Sequence, residues 1–333
     1  MNALVDVIIM TYKPDNELVK IVEMLEHQSV KPNRIIIMNT EMKYLEKLTY
    51  GNRFLDRYSN TEVHHQSRVE FNHGKSRNKG ARRSQGDYMV FMTQDALPKD
   101  SYLLEKLLEP FENEDTDIAV SYARQLPKEN CSLGEIYNRS FNYPPHSMLK
   151  TKDDLEEMGI KTFFCSDVCA CYKKSVFEEL GGFVKNTIFN EDMIYAYNAI
   201  MNGYGVYYAA EACVYHSHDY TAGEYFKRNF DLGVSQADHP EIFEQYKSEG
   251  EGKKLVKGCV SFLISSGKPL EIFPYLWKCA ARYSGYRKGK NYKKLSRKKI
   301  MKYTTSPYYW RRHWDTHPDI DVNRGYGKNH EGL

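Results

Sequence analysis

Two continuous apolar runs, Val5 to Tyr12 (VDVIIMTY) and Arg34 to Thr40 (RIIIMNT), constrain this chain more than any other feature. Neither alternates apolar with polar residues, so neither suits a strand with one wet face. Both read as strands covered on both faces, as in a parallel sheet. Between them, Pro14 and Asp15 start a helix whose apolar positions Leu18, Ile21, Val22 and Leu25 share one face, and Pro32 breaks the chain before the second run. Strand, helix and strand in that order form a right-handed crossover with parallel strands. The ends Thr11-Tyr12 and Asn39-Thr40-Glu41 therefore share one sheet edge, where open α/β sheets bind ligands. Thr61 to Gln66 reads as a short third strand.

The stretch Phe71 to Ala96 adds chemistry to that edge. It reads as a polar loop with a glycine, Asn72 to Ser76, then a short basic helix, Arg77 to Gln85, closed by Gly86, then a buried strand, Tyr88 to Thr93, ending on Gln94-Asp95. A loop feeding a helix N-terminus offers free N–H groups and a positive dipole end to phosphate. Arg77 adds a planar fork of donors suited to a diphosphate. Asp95, at the carboxyl end of its strand, invites a divalent metal beside that diphosphate. The stretch fits a metal-chelated nucleotide, and equally a basic surface helix followed by an ordinary strand.

Further along, Ile118 to Leu126 is an apolar strand, followed by an aromatic segment from Phe141 to His146 and a charged one from Lys150 to Gly159. These segments suit an active-site gate or a plain surface insertion. Val168 to Tyr172 reads as a strand and Lys174 to Leu180 as a helix stopped by Gly181-Gly182. Asn190-Glu191-Asp192 opens the next helix, its acids serving as caps or as catalytic groups. A last strand, Val206 to Tyr215, leads into His216-Ser217-His218, two imidazoles that point the same way and lie near the metal edge if the strand joins the sheet. Cys165, Cys169 and Cys171 lack zinc-finger partners and read as buried thiols. The seven cysteines form no disulfide framework, which fits a reducing cytoplasm.

At 333 residues the chain can bury a large core and carry an appendage. A net charge of +3 argues for no partner by itself, and no apolar run reaches bilayer-spanning length. Met1 runs into a strand, so no secretory leader is read. From about Gln236 the character changes. Ten cations crowd between Arg282 and Lys302 with no acid among them, flanked by tyrosines and Trp277. This segment suits an anionic membrane, a nucleic acid, or the solvated face of a helical appendage.

In order, VDVIIMTYKP, RIIIMN and FNHGKSRNKGARRSQGDYMVFMTQDA resemble the inverting glycosyltransferases of family 2, with the GT-A fold. The FNHG-x-(S/T)-RN and TQDA forms resemble bacterial rhamnosyltransferases that use dTDP-rhamnose. The resemblance spans roughly residues 4 to 235. It implies an α/β, GT-A domain over 1–235, a mostly parallel central sheet flanked by helices, and leaves 236–333 as a helical basic extension for membrane association or oligomer contact. Thr11 and Tyr12 would line the base pocket, with Asn39 or Glu41 near the pyrimidine or ribose. The Gly74 loop with Ser76, and Arg77, would hold the diphosphate, and Arg228 with Lys227 could reach it. Gln94-Asp95 replaces the commoner Asp-x-Asp and keeps only the final acid, so Asp95 is the expected ligand for Mg²⁺ or Mn²⁺, with a histidine, His218 ahead of His216. Asp192 is the expected general base, with Glu191 as its neighbour.

The implied function is inverting transfer of rhamnose from dTDP-rhamnose to a saccharide or lipid-linked acceptor in cell-surface polysaccharide synthesis. The implied place is the cytoplasm, at the inner face of the cell membrane, with no nucleic-acid partner. A UDP-sugar donor, a metal-dependent nucleotidyltransferase, and a basic membrane or nucleic-acid adaptor are the rival readings.

Overall fold

The computed structural model describes residues 3–48, 55–112, 115–246 and 249–316. Among the described residues nine strands form one sheet: β1 Val5–Tyr12, β2 Arg34–Thr40, β3 Thr61–Gln66, β4 Tyr88–Thr93, β5 Leu97–Pro98, β6 Ile118–Leu126, β7 Met148–Lys150, β8 Cys169–Lys173 and β9 Gly205–Tyr215. Their order is β3-β2-β1-β4-β8-β6-β9-β5, with β7 also on β9. β3, β2, β1 and β4 are mutually parallel. β8 runs antiparallel to both β4 and β6, so β6 points the same way as β4, and β9 is parallel to β6. The carboxyl ends of β1, β2, β4, β6 and β9 therefore meet at one edge.

The two apolar runs are buried on both faces. In β1, Ile8 and Met10 enter one core with Phe91 and Tyr172, while Val5, Val7 and Ile9 enter the other with Leu18, Ile21 and Val90. The crossover helix, Asn16–Glu26, buries the four residues expected, and Asp15 caps it by accepting from the Glu17 amide. The basic helix begins earlier than expected. It spans His73–Ala81, because Asn72 is the cap, its Oδ1 accepting from the Lys75 amide at 3.0 Å. What reads as a polar loop is the first turn of that helix. The three clustered cysteines are buried free thiols.

The boundary expected at residue 235 falls inside a helix, Ala222–Asp238, and the extension is built onto it. The helix Ile272–Lys290 lies against Ala222–Asp238 at backbone distance. A Cβ on Gly285 would meet the Phe226 carbonyl oxygen at 2.1 Å, one on Gly289 the Phe230 oxygen at 2.1 Å, and one on Gly233 the Tyr286 oxygen at 2.4 Å. Buried Asp231 accepts hydrogen bonds from the hydroxyls of Thr304 and Thr305, and Trp310 packs with Phe230 and Tyr292. Arg312 donates to the carbonyls of Val69 and Phe71, back near the sheet edge. Among the described residues from 236 to 316 the chain is largely helical and packs against Ala222–Asp238, and residues 317–333 lie outside the described residues.

Gly289→Leu should force the two helices apart and lower thermal stability by about 1–3 kcal/mol, the usual cost of overpacking. Gly250→Ala, where a Cβ meets nothing within 4 Å, is the control. Equal melting temperatures for the two variants, followed by circular dichroism, would show that the seam tolerates a side chain.

Candidate active site

Strand polarity brings Asp95, at the end of β4, to the two histidines that follow β9. Asp95 Oδ2 lies 3.1 Å from His218 Nε2 and 3.6 Å from His216 Nε2, and the two Nε2 atoms are 3.1 Å apart. Gln125, near the end of β6, fixes the geometry. Its Oε1 accepts from Arg139, a group that can only donate, so the same oxygen also accepts from His216 Nδ1 at 2.9 Å. The Nε2 of His216 then carries a lone pair, facing a carboxylate. Burial pushes the His216 pKa down to about 4, which favours the neutral ring. Asp95, His216 and His218 each offer one ligand atom, and these atoms all lie within 4.8 Å of one another, a set whose chemistry suits a divalent cation.

Beside this triad opens a cavity of about 390 Å³. His216, His218, Tyr143, Ser166, Tyr220 and Arg228 contribute to its wall. Arg228, on Ala222–Asp238, lies 4.9 Å from the Phe189 ring and 5.7 Å from the Tyr220 ring. His218 stacks on Tyr220.

Behind the wall lies a buried charge cluster. Arg77 Nε is 2.9 Å from Asp167 Oδ2 and its Nη1 2.8 Å from Glu191 Oε1. The Asp167 amide donates to Asp192 Oδ2 at 3.1 Å, which sets Asp192 one residue behind Ser166. Burial and the Glu191 charge push the Asp192 carboxyl up, whereas Arg77 and His73 overcome burial at Glu191 and hold it down. Burial raises Asp167 to about 8 against the pull of Arg77, with the charges of Asp192 and Glu191 adding to the rise.

A second hollow, of about 200 Å³, lies at the ends of β1 and β2. Tyr12, Thr40 and Arg68 form one side and Thr305 to Tyr309 the other. The Arg68 guanidinium lies 5.2 Å from the Tyr12 ring and 5.3 Å from the Tyr308 ring. Arg68 stands two residues past β3, and Gln125 near the end of β6, so strand-end logic extended to every strand finds both. Nothing in the sequence links Tyr308 to the edge.

The structure moves several sequence-read donor residues into supporting positions. Arg77 is buried and engaged by two carboxylates, so its fork does not face a diphosphate. Gly74 is required for packing, since a Cβ there would meet the Val184 carbonyl oxygen at 1.9 Å. Ser76 is buried and donates to Gln66 Oε1. Thr11 donates to Asn39 Oδ1, and both side chains are buried beneath the hollow rather than lining it. Gln94 exchanges two hydrogen bonds with the Tyr12 backbone and ties β1 to β4. Glu41, with a positive φ of 67°, accepts from the Arg68 amide. Tyr12 lines the smaller hollow, His216, His218 and Arg228 line the larger cavity, and Asp95 stands against the two histidines.

The family model described as Glycosyl transferase family 2 matches residues 6–181. The chain is 40% identical over 243 residues to the O-antigen chain rhamnosyltransferase WbaN of Salmonella anatum, covering 72% of this chain and 76% of that protein. It is 35% identical over 308 residues to the O-antigen chain rhamnosyltransferase RfbN of Salmonella typhimurium (strain LT2), covering 92% and 96%. Among solved structures, the mannosyltransferase PcManGT from Pyrobaculum calidifontis, in complex with GDP-Man and Mn²⁺, is similar in fold, with a TM-score of 0.52 at 14% identity over 96% of this chain and 88% of that one.

The charge cluster predicts a pH dependence. Because folding raises the Asp167 pKa from 3.8 to about 8, the folded state binds that proton more tightly than the unfolded one. Its contribution to stability is full below 3.8 and is lost as pH rises towards 8. Asp167→Asn should flatten the fall in stability across that window, read from denaturant midpoints at several pH values. A variant as pH-sensitive as the wild type would remove Asp167 as the source.

Proposed function

The chain belongs to glycosyl transferase family 2 and is a glycosyltransferase, and we propose that it moves rhamnose from dTDP-rhamnose onto a saccharide or lipid-linked acceptor, with inversion, in cell-surface polysaccharide synthesis. The observation that carries the site assignment is the convergence of Asp95, His216 and His218 at one strand edge. These three would hold Mg²⁺ or Mn²⁺, which supplies positive charge to offset that on the leaving diphosphate. The rhamnose assignment is supported by the names of the two Salmonella relatives.

The chain's own residues have separable tasks in this reading. The hollow of Tyr12, Thr40 and Arg68 receives the nucleobase. Arg228, beside the triad, adds a fixed cation towards the phosphates. Asp192 takes the acceptor hydroxyl proton as that oxygen attacks the anomeric carbon on the face opposite the leaving group. Its raised proton affinity supports this role, because a base must hold the proton it removes. Glu191, kept ionised by Arg77 and His73, maintains that affinity. Displacement by the acceptor needs no covalent sugar–protein intermediate. A lipid-linked acceptor would bring the chain to the inner face of the cell membrane. Among the described residues, no helix is long and apolar enough to cross one.

Asp95→Ala should abolish the Mn²⁺-dependent part of nucleoside diphosphate binding measured by calorimetry. Unchanged metal dependence would take Asp95 out of the site. Asp192→Asn should leave donor affinity intact and slow transfer by a factor on the order of a hundred or more. A variant that turns over normally would move the base elsewhere.

A further inference from the structure

The turn between the helices Glu249–Ser265 and Ile272–Lys290 leaves large apolar side chains open to solvent. Leu270 is 91% exposed, Phe273 78%, Trp277 64% and Ile264 59%. This is not a frayed loop. The Gly267 amide donates to the Ile264 carbonyl and the Lys268 amide to the Leu263 carbonyl, which closes the first helix, and Pro269 starts the next turn. The open side chains stand on a hydrogen-bonded knuckle.

The helix that leaves the knuckle has two faces. Tyr275, Gly285 and Gly289 are buried, and both glycines close on Ala222–Asp238. The opposite positions, Phe273, Trp277, Ala280, Ser284 and Arg287, are exposed and recur at helical spacing, so they form one outward stripe. That stripe starts apolar and ends cationic. At its far end Tyr283, Arg287, Lys288 and Lys294 border an open hollow of about 410 Å³. No acid occurs between Arg282 and Lys302. The tyrosines further along are not free for the same surface. Tyr292 is buried and donates to Asp238, and Tyr303 packs on Phe226 and Phe230.

We propose that this stripe seats the protein on an anionic lipid membrane. The knuckle, Leu270, Phe273 and Trp277, enters the acyl boundary, and Arg287, Lys288 and Lys294 lie at the level of the lipid phosphates. An apolar tip continuous with a cationic band matches the depth profile of a bilayer interface, where aromatic rings anchor and cations meet headgroups. A protein partner would explain the apolar knuckle but gives no reason for a cationic band without a single acid. The inference deepens the membrane reading of the proposed function and rests on it for its purpose, while the surface is argued from its own residues.

The test is sedimentation of the full chain with vesicles of phosphatidylcholine alone and of phosphatidylcholine with phosphatidylglycerol, across a salt series. The wild type should bind only the second kind, more weakly as salt rises. The triple variant L270E/F273E/W277E, and separately R287E/K288E, should each weaken binding by roughly tenfold or more. Donor hydrolysis in solution should be unchanged in both variants, since neither touches the triad or its cavities. Indifference of the wild type to anionic vesicles, or wild-type binding by the triple variant, overturns the proposal. So does a dimer in light scattering that the triple variant dissolves without any vesicle binding, which makes the stripe a contact between copies. Vesicle binding without any donor hydrolysis leaves the surface standing and sinks the catalytic reading instead.

Discussion

One buried guanidinium ties together the elements at the carboxyl edge of the sheet. Arg77 sits within reach of Asp167 and Glu191, with Asp192 beside them, and so joins the helix His73–Ala81 to the helix Glu191–Met201 and to the loop before β8. Three carboxylates around one cation carry more negative charge than it can balance, and burial makes that imbalance felt. The cluster answers by dividing the load: Glu191 stays ionised against Arg77, and Asp167 and Asp192 hold their protons more tightly than free carboxylates do. Losing the cation from such a cluster typically costs about 3–5 kcal/mol, because the carboxylates stay buried without a partner. The same residue therefore supports the fold and sets the proton affinities of the carboxylates around it.

This division explains why sequence reasoning misplaces Arg77. An arginine beside a glycine-bearing turn at a sheet edge has the chemistry of a phosphate clamp, and its composition says nothing about which partner it meets. Its carboxylates come from far along the chain, in segments whose own pattern reads as a cap and a strand entry. Thr11 and Asn39 fail for a related reason. They stand at the right edge, but the register pairs them with each other, and the pair lies beneath the hollow instead of in it.

What periodicity governs was legible. β1, β2 and the helix between them are read from apolar spacing alone, and the meeting of Asp95 with His216 and His218 follows from two strand ends once β9 is placed in the sheet. Asp95 needs only the end of β4, and the histidines need only their i, i+2 spacing. The route of the extension was not legible. Its cations dominate the composition, whereas its position is set by Gly233, Gly285 and Gly289, whose contribution is the absence of a side chain.

That glycine seam has a geometric consequence. The helix Ala222–Asp238 starts just after His218, capped by Thr221, and carries Arg228 on one side and the seam on another. Backbone pressed on backbone, with no side-chain layer between, ties the position of the outward stripe to that of the helix that carries Arg228. Were the stripe to rest on lipid, the height and angle of the catalytic cavity above the bilayer would be a fixed dimension of the protein, like the reach of a rigid arm. An acceptor would then be selected partly by how far its reactive hydroxyl stands from its lipid anchor, a length criterion set by a contact remote from the sugar itself.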